Sequence, residues 1–152
     1  MIAPPLISPR GWLIDTMTIS ELRKGRRTAP PVRAWAERIP RSACFISRVN
    51  IAEIRYGIET VTDPGFRSEL EAWLQDGVLV WFGPRVLEVD EAVLLKWRYL
   101  AAEARKDNHT YPQLDVLIAA TALVHNLGVA TRNVQDFSRT GVPVLNPWGE
   151  PL

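Results

Sequence analysis

Sulfur and imidazole are scarce in this chain, with one cysteine (Cys44) and two histidines (His109 and His125) in 152 residues. A single thiol excludes an internal disulfide framework and fits a reducing, cytoplasmic setting. So few thiols and imidazoles also exclude the usual zinc ligand spacings. Phosphate-cradling G-x-x-x-x-G-K-[ST], dinucleotide-binding G-x-G-x-x-G and the G-x-S-x-G nucleophile turn are all missing. No apolar run approaches the roughly 20 residues of a membrane span. The opening MIAPPLISPRGW has no basic stretch followed by a long apolar block, so no secretory signal is expected. Repeats, low-complexity tracts and Gly/Ser linkers are missing too. Net charge is almost absent at +1, which at first sight speaks against a nucleic-acid partner.

What is present is ordinary globular material: 47% hydrophobic and 23% charged residues. At this length one core is expected, and a chain of about 150 residues buries about 70% of its unfolded surface, enough without a metal staple. The charge is unevenly distributed. Arg23, Lys24, Arg26, Arg27, Arg33, Arg38 and Arg41 are opposed over their stretch only by Glu21 and Glu37, and 15 of the 18 cations are arginine. Arginine's planar fork of donors suits phosphate oxygens. A solvated helix face explains any single one equally well.

Short apolar runs alternate with helical periodicity. GWLID, ACFIS, VLVWF, GVATRN and VPVLNPW read as strands. TISELRKG, PVRAWAERI, VNIAEIRYGIE, residues 64–75, 89–106 and YPQLDVLIAATALVHN read as helices. Ser47 and Asp90 are placed to cap helices. Ile51, Ile54 and Ile58 share one helix face, as do Phe66, Leu70, Trp73 and Leu74. Strands without polar alternation, joined by helices, indicate a parallel sheet covered on both sides. The expected architecture is a three-layer α/β/α domain with a central parallel sheet of four to five strands over 12–148, flanked by tails at 1–11 and 149–152.

Ligands of such sheets lie beyond the carboxyl ends of the strands. Asp15, Glu53, Asp115, Asn133 and Asp136 all fall there, directly after a strand or in the first turns of a helix. An acid in a first helical turn also complements the macrodipole, for ~0.3–1 kcal/mol, so Glu53 or Asp136 alone carries little. Asp115 is different: it heads an almost wholly apolar helix, and no Lys or Arg occurs between Lys106 and Arg132. Two carboxylates about 5 Å apart repel by roughly 3 kcal/mol at an effective dielectric near 20. Such a cluster raises its own pKa values or binds a cation. Oxygen ligands without His or Cys favour Mg²⁺ or Mn²⁺. His125, His109 and Cys44 read as structural or solvated.

The strings LIDTMTISEL, NIAEIRYGIE, PQLDVLIAATAL, ATRNVQDF and VPVLNPW, in this order, resemble PIN-domain ribonucleases, in particular the VapC-type toxins of bacterial toxin–antitoxin pairs. The resemblance covers Trp12 to Trp148. It implies an Mg²⁺- or Mn²⁺-dependent endoribonuclease, a cognate antitoxin, homodimerisation and an RNA substrate. By position Asp15 matches the family's first acid in D-T-N, Glu53 the acid of A-E-[IL]-R-x-G, and Asp115 the acid before L-I-A-A-T-A. Asn133 and Asp136 fall in T-R-[ND]-x-x-D-F, with Thr131 helping to orient the site. Asp15, Asp115 and Glu53 are the implied metal ligands. Arg23, Arg26, Arg27 and Arg132 are expected to hold RNA phosphates. Two departures stand out: Met17 replaces the Asn of D-T-N, and Asn133 replaces an acid. They motivate an alternative, a non-catalytic module that binds RNA or an antitoxin. A metal-dependent phosphatase or DNA nuclease is a third reading. The abundance of tryptophan, six in all, reads mainly as core, with some left to line a partner groove.

Overall fold

The computed structural model describes residues 8–108 and 112–149. His109, residues 1–7 of the expected N-terminal tail and 150–152 of the C-terminal one lie outside the described residues. The apolar runs form strands β1 (Trp12–Ile14), β2 (Cys44–Ser47), β3 (Val86–Leu87), β4 (Gly128–Ala130) and β5 (Val144–Leu145). All pair in parallel, in the order β3-β2-β1-β4-β5. The sheet is covered on both faces. Leu13, Phe45 and Val129 face one core, while Ile14, Ile46 and Ala130 face the other. Neither face can then be polar, which is why these strands lack alternation.

On the Ile14 side pack α1 (Thr16–Leu22), α2 (Pro30–Arg38) and α3 (Arg48–Glu59). The chain continues through α4 (Pro64–Ala72), a π-helical turn (Trp73–Val78) and α5 (Leu79–Phe82). On the Leu13 side lie α7 (Gln113–Val124) and α8 (Val134–Phe137), with α6 (Glu91–Lys106) against α7. Helix starts follow local chemistry. The side chains of Asp15, Ser47, Asp63 and Asp90 accept backbone N–H bonds at the starts of α1, α3, α4 and α6. Ile51, Ile54 and Ile58 are buried together as their spacing implies. α7 buries Val116 and the run Ile118–Ala122, leaving Leu114 and Val124 exposed.

The segment VLVWF is a correction: it is helical, not a strand. Val78 and Phe82, four apart, are buried, while Val80 and Trp81 between them are exposed. That is one helical face, hidden inside a continuous apolar run too short to show its period. The strand that joins the sheet at that edge is β3, a few residues later. Phe66 also departs from its expected inward position and is exposed beneath the Arg23 guanidinium, 5.7 Å from its ring centroid.

β1 sits between β2 and β4. The chain steps from β1 to β2 on one side, and from β3 it crosses to β4 on the other. The crevice at the carboxyl ends of β1 and β4 is therefore the switch point where ligands of such sheets bind. Gly128 stands opposite Trp12 in register. A Cβ there would enter the Trp12 ring and lie 2.9 Å from the Pro143 carbonyl oxygen, so the tight β1–β4 contact requires glycine.

Candidate functional site

Asp15 is the first residue beyond β1 and the N-cap of α1. Its Oδ1 accepts from the Thr18 N–H (2.9 Å) and the Thr18 hydroxyl (2.7 Å). Its Oδ2 accepts from the Thr131 hydroxyl at 2.6 Å. Thr18 and Thr131 are fully buried, and Asp15 is only 8% exposed. Three donors thus hold the carboxyl group in a fixed orientation at the end of the central strand.

Glu53 comes from α3, one turn beyond Asn50, so the two share a face. The Thr16 hydroxyl donates to Glu53 Oε2 at 3.1 Å. Asn50 Nδ2 donates to the same Thr16 oxygen at 3.0 Å. Among the described residues, the buried Asn50 Oδ1 has no hydrogen-bond partner, a condition that costs about 1–3 kcal/mol for a buried acceptor.

Asp115 lies in the first turn of α7 and is half-buried. Burial, first, and then the charges of Asp136, Glu53 and Asp15 push its carboxyl above the ordinary range. The acids therefore converge closely enough to feel one another. Asp15, Thr16, Asn50, Glu53, Asp115 and Asn133 line one cleft, together with Met17, Ile118, Thr131 and Phe137. Asp136 is exposed in the first turn of α8, near Asp115 but not on the cleft wall. The Asn133 N–H donates to the Thr131 oxygen at 3.1 Å, and its Nδ2 meets Met17 Sδ at 3.8 Å. The two departures from the family pattern thus touch each other. Among the described residues, no three His, Cys, Asp or Glu side chains are drawn tightly enough together to chelate a metal on their own. The donors facing the cleft are oxygens, the chemistry that suits a hard, partly hydrated cation such as Mg²⁺.

The four arginines expected to hold RNA phosphates fall into two groups. Arg26 and Arg27 are exposed on a single 3₁₀ turn, Gly25–Arg27. Arg23 lies over the Phe66 and Trp73 rings (5.7 and 5.9 Å), and Arg132 over Trp148 (5.1 Å). Beside Arg23 runs an apolar groove walled by Ile19, Leu22, Trp35, Trp73, Val78 and Trp81. Cys44 is buried in the floor of this region, and burial pushes its thiol pKa up, as an inert core residue requires. His125 ends α7 and offers its carbonyl to Arg10. Sequence reading missed Thr16, Thr18 and Asn50. The i, i+3 spacing of Asn50 and Glu53, beside buried Ile51 and Ile54, was the available signal.

A five-stranded parallel sheet with helices on both faces and a carboxylate-lined cleft at its switch point defines an α/β protein built around an acidic site. The PIN-domain family model matches residues 12–143, and the chain belongs to that family. VapC ribonuclease Y4jK of Sinorhizobium fredii is 31% identical over 136 residues, spanning 90% of this chain and 96% of the relative. The crystal structure of FitAcB from Neisseria gonorrhoeae superposes with a TM-score of 0.84 at 31% identity, covering 90% of this chain and 97% of that one. A toxin–antitoxin complex from Klebsiella pneumoniae contains a chain with a TM-score of 0.65 at 25% identity, over 90% of this chain and 98% of its own.

Proposed function

We propose that this protein is an Mg²⁺- or Mn²⁺-dependent endoribonuclease acting as the toxin of a toxin–antitoxin pair. The observation that carries this reading is the convergence of Asp15, Glu53 and Asp115 on one cleft, closely enough to raise the Asp115 pKa. A similar chain named as a ribonuclease, and another seen in a toxin–antitoxin complex, support it.

Asp15, Asp115 and Glu53 would hold the cation. The carboxylate and amide oxygens that line the cleft suit such a cation. When bound, a divalent cation supplies Lewis acidity that lowers the pKa of water and polarises a phosphodiester. Asp15 enters the reaction already oriented by Thr18 and Thr131. Glu53 or Asn133 would orient the attacking water, while Asp136, off the cleft wall, acts through its charge on Asp115. One P–O bond would form from that water as the bond to the leaving ribose oxygen breaks, the water's proton passing to solvent and the leaving oxygen taking one up from solvent. Arg26, Arg27, Arg23 and Arg132 hold flanking phosphates. The partner groove is the apolar one beside Arg23. Its Trp and Arg walls suit an antitoxin's apolar segment, since these residue types anchor interfaces.

The Met17–Asn133 contact favours a second reading, a non-catalytic module that keeps RNA or antitoxin binding alone. Cleavage assays on a structured RNA with Mg²⁺, Mn²⁺ or EDTA separate the two. DNA and phosphomonoester substrates in the same panel address the nuclease and phosphatase alternatives. Metal-dependent RNA cleavage, abolished in Asp15→Asn and Asp115→Asn, is expected. Cleavage by both variants at the wild-type rate would overturn the assignment.

A further inference from the structure

Thr16 has one hydroxyl proton and directs it at Glu53 Oε2, 3.1 Å away. Its oxygen therefore needs a donor from Asn50, and Nδ2 supplies it at 3.0 Å. The opposite orientation of the carboxamide would leave two acceptors, one of them charged, competing for a single proton. The Thr16–Glu53 bond thus dictates which way Asn50 faces. Among the described residues its Oδ1 is left without a partner, in a residue only 1% exposed. Buried acceptors in folded proteins are nearly always satisfied. Asn50 lines the same cleft as Asp15, Glu53 and Asp115, and the unsatisfied acceptor is the cost of holding Nδ2 on Thr16. Core packing does not account for an amide here, since its neighbours Ile51 and Ile54 fill the core with hydrocarbon.

Resting on the proposal of a divalent cation in this cleft, we infer that Asn50 is a positioning residue for that cation. Through Nδ2 and Thr16 it fixes the Glu53 carboxylate. Outer-shell partners of this kind typically govern metal affinity by about 10- to 100-fold.

The experiment is calorimetric titration of Mn²⁺ into the full chain, paired with thermal melting in EDTA. The chains compared are wild type, Asn50→Leu, Thr16→Val, Thr16→Ser and the Asn50→Leu/Thr16→Val double variant, with Asp15→Asn as the control. Asn50→Leu keeps the shape and removes the orphaned acceptor. It is expected to melt no lower than wild type in EDTA while Mn²⁺ affinity falls at least ~10-fold. Thr16→Val should weaken binding similarly and Thr16→Ser restore it. The double variant should bind better than independent losses would allow, because the Thr16–Glu53 arm is broken once in either case. Mn²⁺ affinity in Asn50→Leu within twofold of wild type overturns the inference, as does a lowered melting temperature with unchanged affinity. Should Asn50→Leu not fold, Thr16→Val and its serine rescue decide: unchanged affinity in Thr16→Val overturns the inference. Failure of wild type itself to bind Mn²⁺ overturns the cation reading and this inference with it. That result is distinct from wild-type binding that Asn50 and Thr16 do not influence.

Discussion

The Thr131 hydroxyl, one residue beyond β4, donates to Asp15 Oδ2, one residue beyond β1, at 2.6 Å. The bond ties together the ends of two neighbouring strands at the crevice, and the same hydroxyl oxygen accepts the Asn133 N–H. Thr131→Val should therefore lose stability by about 1.5–3 kcal/mol, the usual range for a hydrogen bond to a charged group. Ribonuclease activity should fall about 10- to 100-fold, as when an outer partner of a ligand is removed. Thr131→Ser should recover most of both. Urea denaturation and RNA cleavage measured on the same preparations check this.

Asp15 both caps α1 and faces the cleft, and substitution can separate these roles. Asparagine caps helices as well as aspartate does. In Asp15→Asn, Oδ1 keeps Thr18 and Nδ2 can donate to the Thr131 oxygen. Stability should change by less than about 1 kcal/mol while cleavage disappears. Asp15→Ala should lose about 1–2 kcal/mol from the cap, together with the Thr131 contact. Denaturant midpoints of the two variants distinguish the roles.

Asp115 predicts a pH signature in metal-free protein. Its carboxyl is raised in the fold, by burial first and then by Asp136, Glu53 and Asp15. Between the ordinary carboxylate range and that raised value, the folded chain keeps a proton that the unfolded chain has lost. Stability accordingly falls as pH rises through this window and stays reduced above it. Asp115→Asn should remove that fall, raising the melting temperature in EDTA at neutral pH while abolishing cleavage. Calorimetric scans from pH 4 to pH 8 would refute this if the variant melted well below wild type at neutral pH.

Arg26 and Arg27 are exposed together on one turn. If both contact RNA phosphates, the Arg26→Gln/Arg27→Gln variant should bind RNA more weakly. Its salt dependence should be shallower by about 0.7 in the log–log slope per lost contact, the single-strand value. Fluorescence anisotropy at several salt concentrations measures the slope. An unchanged slope removes these residues from the RNA path.

Leu22 lines the apolar groove without belonging to the core. Leu22→Asp places a carboxylate where an antitoxin's apolar segment would rest, so binding to the cognate antitoxin should weaken at least ~10-fold, given the cost of burying an unpaired charge. RNA cleavage should persist. Titration with the protein encoded beside this gene, together with a cleavage assay, tests the separation.

The helix starts at Ser47 and Asp90 were legible because a capping side chain stands directly before an apolar periodicity. VLVWF was misread because five apolar residues in a row carry no visible period, and only the burial of Val78 and Phe82 reveals the helix. β3, two residues long, is below what a pattern can show. At the site, the acids were legible because charge at a strand end demands a partner. Thr18 and Asn50 were not: both are neutral and common near helix starts, and only their contacts in the folded chain disclose their roles. The net charge of +1 concealed a carboxylate cleft and separate surface arginines, because a sum carries no positions.

Gly128 faces the Trp12 ring three residues before Thr131, while Trp12 stands three before Asp15. The spacing of the two strands is thus gauged at their far ends by an indole lying flush against a bare α-carbon. A methyl at 128 would act as a wedge, and the strands as lever arms, opening the gap that the Thr131 hydroxyl now spans. The cleft's geometry is therefore adjustable from a position that no substrate touches, and drift at residue 128 would be felt as a change in chemistry before it was felt as a loss of fold.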